Sequence, residues 1–177
     1  MIELQSMTLA GQPILHAFPA GKATEPLPCV VFYHGFTSSG LVYSYFAVAL
    51  AQAGFRVVMP DAPDHGGRFS GNAQGRLLRF WHILQQSLEE FASLRDALQA
   101  QGWIAEERLA VAGASMGGMT ALGIMARHPE VRCVASLMGS GSFSELSRTL
   151  FPPEDAARET VMAQLAEDEP SRQLARL

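Results

Sequence analysis

The sequence predicts an α/β fold in which a mostly parallel sheet carries helices on both faces. Three observations predict it. Short apolar, β-branched runs alternate with amphipathic or alanine-rich stretches, the order expected of βα units. Several of those runs are continuously apolar, as strands buried on both faces must be. A Gly-x-Ser-x-Gly segment lies between one such run and one such helix. With 177 residues, 48% of them hydrophobic and 17% charged, the chain suits a single domain, since chains of this size bury about 70% of their unfolded surface.

The elements follow in order. Ile2 to Leu9 and Pro13 to Phe18 read as strands joined at Ala10-Gly11-Gln12, which is hairpin punctuation. A loop rich in Gly and Pro, Pro19 to Pro28, leads to Cys29-Val30-Val31-Phe32-Tyr33, a strand apolar throughout. Ser44 to Ala53 is an alanine-rich helix closed by Gly54, and Phe55 to Pro60 is the next strand. From Gly75 to Gly102 the positions Leu77, Trp81, Leu84, Leu88, Phe91, Leu94 and Leu98 recur at spacings of three and four. That spacing predicts one amphipathic helix of about seven turns. Arg108 to Ala112 is a strand, Met116 to Arg127 a helix closed by His128-Pro129, and Arg132 to Met138 another strand. Beyond Gly139 the character changes: Ser142 to Leu150 and Asp155 to Ala166 are helical, broken at Pro152-Pro153, and the charged tail contains Pro170. The expected organisation is one α/β domain over 1–177, with core sheet and helices in 1–141 and a helical segment and tail in 142–177.

Composition removes several function classes. The formal charge is −4 and Lys22 is the single lysine, with arginines spread singly. Nucleic acid or an anionic membrane would need clustered basic residues, so neither is an expected partner. The N-terminus has no basic region followed by an apolar one, and no apolar run approaches the roughly 20 residues of a membrane span. A cytoplasmic protein is expected. Cys29 and Cys133 lie in apolar strand-like runs and read as small buried hydrophobes, forming neither a CxxC pair nor a disulfide framework.

The chemistry concentrates in three segments. Gly113-Ala114-Ser115-Met116-Gly117-Gly118, between strand and helix, has the form of a nucleophile elbow. Small residues two before and two after Ser115 let neighbouring backbone close in on a strained turn, and the helix start stabilises developing negative charge. The N–H of Met116 is then one oxyanion donor. Tyr33-His34-Gly35-Phe36-Thr37, at the end of a buried strand, supplies the other from Phe36 N–H, with Gly35 turning the backbone. The His34 side chain reads as a satisfied histidine bonding loop backbone. Pro60-Asp61-Ala62-Pro63-Asp64-His65-Gly66-Gly67-Arg68 sits on the functional edge of such a sheet. Its ligand types fall within too short a loop to reach a fourth donor, so no metal is expected. Internal hydrogen bonds, such as Asp64 or Asp61 with Arg68, are the expected brace, and Asp64 and His65 are expected to border the substrate pocket.

Taken together, HGFTSS, YSYFAVALAQAG, MPDAPDHG, AVAGASMGGMTALG, MGSG and RTLFPP resemble the YjfP-type carboxylesterases. These belong to the dienelactone hydrolase and serine aminopeptidase-like branch of the α/β-hydrolase superfamily. The resemblance runs to about Ala166. It implies the α/β-hydrolase fold and hydrolysis of short-chain carboxylic esters through an acyl-enzyme, with no cofactor and no metal. It carries the nucleophile onto Ser115 and the oxyanion donors onto Phe36 and Met116.

In this superfamily the triad runs Ser, then acid, then His. After Ser115 the sole histidine is His128, at the far end of the helix that starts at the elbow. About a dozen residues at roughly 1.5 Å each put it about 18 Å away. Asp155 and Asp168 lie in helix or tail. The expectation is a C-terminally truncated hydrolase lacking its last strands, acid and histidine, with weak activity or none. The alternative is a non-catalytic remnant that binds small esters or a protein partner. His34 and His65, near the elbow, are the substitute bases to weigh. An uncovered strand at 132–138 would favour self-association.

Overall fold

A computed structural model describes residues 1–154, 156–173 and 175. The strands are β1 (Ile2–Leu9), β2 (Gln12–Pro19), β3 (Leu27–Tyr33), β4 (Arg56–Pro60), β5 (Ile104–Ala114) and β6 (Cys133–Leu137). The helices are α1 (Ser44–Gln52), α2 (Ala73–Leu78), α3 (Phe80–Ala100), α4 (Met116–Arg127), α5 (Phe143–Leu146) and α6 (Arg158–Glu167).

Six strands form one sheet in the order β1-β2-β4-β3-β5-β6. β4, β3, β5 and β6 run parallel, and the β1–β2 hairpin joins antiparallel through β2 and β4. The hairpin turns at Ala10 and Gly11, with φ of 50° and 74°. Positive φ at both positions matches the right-handed twist of the flanking strands.

Period-two alternation in the central strands divides the core. Cys29, Val31 and Tyr33 of β3 face the layer of α3 and α4, where Leu84, Leu88, Phe91, Leu94 and Ile124 are buried. Val30 and Phe32 face the other way, with Val57 and Met59 of β4, onto Ala47 and Ala51 of α1. The α/β-hydrolase fold is thus present as a mostly parallel sheet with helices on both faces. No helix among the described residues is long and apolar enough to cross a membrane.

Four sequence expectations need correction. The helix expected over Gly75 to Gly102 is two helices broken at Arg79 (φ −108°, ψ 12°). Leu77 and Leu78 are exposed at the break, whereas Phe80 and Trp81 are buried in the core. A periodicity count sees both segments as one apolar stripe. β5 is longer than Arg108 to Ala112 because Ile104 already pairs with Leu27 of β3, across an irregular register that takes up the left-handed Glu106 and Glu107. The helix expected over Ser142 to Leu150 shrinks to Phe143–Leu146. Cys133 is exposed, unlike buried Cys29. β6 pairs with β5 alone, and α1 packs under β1, β2 and β4, so the Cys133, Ala135 and Leu137 face lies uncovered among the described residues. The expected helix start at Asp155 lies outside the described residues.

Candidate active site

The join of β5 to α4 places Ser115 in a sharp turn at φ 55° and ψ −118°, exposed to solvent. A non-glycine residue held there costs of order 1–3 kcal/mol, strain that surrounding contacts must offset. Two backbone bonds clamp it: Ser115 N donates to Leu137 O at 2.8 Å, and Ser115 O accepts from Met119 N at 3.0 Å. The glycines of the elbow follow from close approach. A Cβ on Gly117 would lie 2.0 Å from Tyr33 O, and one on Gly113 would lie 2.3 Å from the Gly117 carbonyl. α4 therefore starts against the end of β3, which carries the His34-Gly35-Phe36 loop.

That loop is braced by two buried histidines, each engaged at both ring nitrogens. His34 Nδ1 meets Gly35 O at 2.8 Å, and His34 Nε2 accepts from Ala62 N at 3.0 Å. His65 Nδ1 meets Pro63 O at 2.8 Å, and His65 Nε2 accepts from Thr37 N at 2.9 Å. Each pattern requires the neutral ring with its proton on Nδ1. Burial lowers both pKa values, His65 to about 4. Neither ring keeps a lone pair for a serine proton, so the substitute-base expectation for His34 and His65 fails. Their work is to hold Phe36. Neither Phe36 N–H nor Met116 N–H has a protein acceptor among the described residues, leaving two donors beside the elbow.

The 60–68 loop is braced by internal hydrogen bonds, as expected, though the Asp61 carboxylate bonds backbone and not Arg68. The Asp61 carboxylate accepts from Gly40 N at 2.9 Å and Gly67 N at 2.8 Å, tying this loop to the one after Phe36. Arg68 reaches only the main-chain oxygen of Asp61, at 3.2 Å. Its carboxylate partner is Glu90, gripped by two bonds of 2.7 and 2.8 Å that were invisible in sequence because the residues are 22 apart. Asp64 accepts from Ser70 N at 2.8 Å, which with the nearby Arg79 and Arg76 lowers its pKa. Neither Asp64 nor His65 lines the Ser115 pocket; His65 packs its ring against Phe36, which does.

The pocket at Ser115 has a volume of about 400 Å³. Its walls are Phe36, Phe80, Met119, Leu146 and Phe151, with Met138 exposed beside the opening. No charged side chain lines it among the described residues. Phe80, Phe151, Met119, Leu146 and Met138 escaped the sequence reading, because apolar residues on separate elements carry no local motif. Met119 alone had a signal, one turn after Ser115. None of the chain's five histidines lines this pocket. His128 caps the far end of α4 and pairs with Glu130, while Asp168 pairs with Arg127. No group of three or more His, Cys, Asp or Glu that could hold a metal occurs among the described residues.

Comparison with known proteins places the chain by family and fold. Esterase YjfP of Escherichia coli (strain K12) is 61% identical over 184 aligned positions, covering 100% of this chain and 74% of that protein. Putative esterase YitV of Bacillus subtilis (strain 168) is 37% identical over 147 positions, covering 82% of this chain and 58% of that one. Among solved structures, TT1662 from Thermus thermophilus superposes with a TM-score of 0.72 at 21% identity, over 98% of this chain and 69% of that one. A putative dienelactone hydrolase from Klebsiella pneumoniae gives 0.62 at 18% identity, over 79% and 61%. These structures support the fold alone. The family of serine aminopeptidases, S33, matches residues 24–171, and with the two curated relatives this shows that the chain belongs to that hydrolase family.

Proposed function

We propose that the chain is a serine-dependent carboxylic ester hydrolase that takes short-chain esters through an acyl-enzyme at Ser115. The observation that carries this reading is the strained, exposed Ser115 beside two unpaired backbone donors and an apolar pocket. The similarity to esterase YjfP supports the ester class. Ser115 Oγ adds to the ester carbonyl, Phe36 N–H and Met116 N–H receive the oxyanion, the alcohol leaves, and water then cleaves the acyl-enzyme. No cofactor or metal enters these steps.

Turnover is weak in this reading, because no histidine of the described residues reaches Ser115. An oxyanion hole and binding without a complete triad retain about 10³ to 10⁴-fold catalysis over water in serine proteases. The engagement of both nitrogens in His34 and His65 also favours a second reading, a hydrolase-like module that binds small esters without turnover. A fluorophosphonate probe and p-nitrophenyl butyrate separate the two. Slow labelling and slow hydrolysis, both abolished in Ser115→Ala, are expected; equal rates in wild type and Ser115→Ala would leave the binding reading.

A further inference from the structure

The Ser115 pocket is closed on one side by a segment that belongs neither to the sheet nor to a long helix. After α5, residues 147–154 form no helix or strand, and Leu150 and Phe151 reach the pocket, Phe151 at a left-handed φ of 47°. The Phe151 ring stacks on Phe80 at 4.7 Å between centroids, with planes 22° apart, and lies 5.1 Å from the Phe36 ring. Phe36 and Phe80 meet edge-on at 4.9 Å. Three rings from three distant stretches of chain therefore meet at one end of the acyl-sized cavity.

Trp81 pins the strap at Phe151. Trp81, buried in α3, donates its Nε1–H to both Leu150 O at 3.0 Å and Phe151 O at 3.1 Å. The break between α2 and α3 makes this possible, since α3 begins at Phe80 and presents Phe80 and Trp81 together. One residue supplies the ring beneath Phe151, and the next supplies the donor that fixes its backbone.

We infer that Phe151 is the specificity-determining end stop of the pocket, limiting it to short, uncharged acyl groups, and that Trp81 is the positioning residue that holds it there. This rests on the reading above in that the ester binds in the pocket at Ser115. Phe36 cannot serve as an adjustable stop because its backbone belongs to the braced oxyanion loop. Phe80 is buried in the core. Phe151 remains, half-buried, with the two Trp81 bonds at its own and the preceding carbonyl and the ring contacts holding it in place.

The test compares p-nitrophenyl acetate, butyrate and octanoate on wild type, Phe151→Ala and Trp81→Phe, with Phe151→Leu as a milder variant should the alanine form fold poorly. Each newly accommodated methylene is worth about fourfold, so the octanoate-to-acetate ratio of kcat/KM should rise about tenfold or more in Phe151→Ala. A smaller rise in the same direction is expected for Trp81→Phe. A ratio unchanged in Phe151→Ala and Phe151→Leu, with all three esters slowed alike, overturns the assignment. Binding of ethyl octanoate and ethyl acetate to Ser115→Ala, with and without Phe151→Ala, is followed by tryptophan fluorescence and needs no turnover. About tenfold tighter octanoate binding in the double variant, with no turnover by wild type, would sink the esterase reading and leave the end stop standing. Absence of that shift overturns the end stop itself.

Discussion

Lowering the pH from 7 to 5 should remove about 4 kcal/mol of folding stability through two buried histidines. His16 and His65 are almost fully buried, and each has its pKa lowered from 6.5 to about 4. Burial is the larger cause for both; His16 also faces the guanidinium of Arg56, whose Nη1 lies 2.6 Å from its Nε2. A histidine whose folded pKa is depressed is protonated first in the unfolded chain. Its contribution is therefore complete above about pH 6.5 and is lost as the pH falls from there toward 4. At pH 5 the linkage amounts to about 2 kcal/mol per group, from roughly 1.4 kcal/mol per pKa unit over the part of the window crossed. His34, shifted the same way by burial, adds to the loss. Against a typical total of about 5–15 kcal/mol this is large. Urea unfolding followed by circular dichroism at the two pH values measures it, and His65→Gln should remove about half. A change below about 1 kcal/mol in wild type would refute the claim that these rings are held neutral.

Gly117→Ala should cost about 3 kcal/mol or more, because the new Cβ would meet backbone, 2.0 Å from Tyr33 O. Gly123→Ala should stay within about 1 kcal/mol, since its Cβ meets a Leu88 methyl at 2.7 Å while the helix gains propensity; urea midpoints compare the two. We propose that copies of the chain associate through the open edge of β6, whose outer backbone groups pair with nothing among the described residues. Sedimentation at tens of micromolar should show dimer or larger species that Ala135→Lys disperses, and clean wild-type monomer would count against it.

The elbow was legible because its requirement is local. Gly113, Ser115 and Gly117 sit within one turn, and the contacts that demand glycine come from backbone that any strand–helix join of this kind brings there. The central strands were legible for a similar reason, since a run such as Cys29 to Tyr33 suits only a strand covered on both faces. What remained hidden depended on meetings between remote residues. Arg68 could be paired in sequence only with Asp61 or Asp64, yet Glu90 on α3 holds it. The pocket walls arise because α3 restarts at Phe80, and no count of apolar spacing distinguishes that break from continuous helix. The fate of His34 and His65 was half legible: their position near the elbow could be read, but which ring nitrogens are engaged is settled by Ala62 N and Thr37 N.

That engagement has a kinetic signature. When a histidine takes the serine proton, the labelling rate rises with pH through the histidine pKa and then levels. Here His34 and His65 each accept a backbone N–H at Nε2 and are directed through Nδ1 to a carbonyl, so using either as a base would first break a buried hydrogen bond. Breaking one costs about 1–3 kcal/mol, and burial lowers the pKa of both rings, that of His65 to about 4, which makes them poorer bases besides. The serine must then react through its own small alkoxide fraction, which grows about tenfold per pH unit. The rate of fluorophosphonate labelling at Ser115 should climb with unit slope from pH 6 to pH 9 and show no inflection near 6.5. A plateau above pH 7 that disappears in His34→Gln or His65→Gln would mean that one of these rings leaves its backbone partners to serve Ser115.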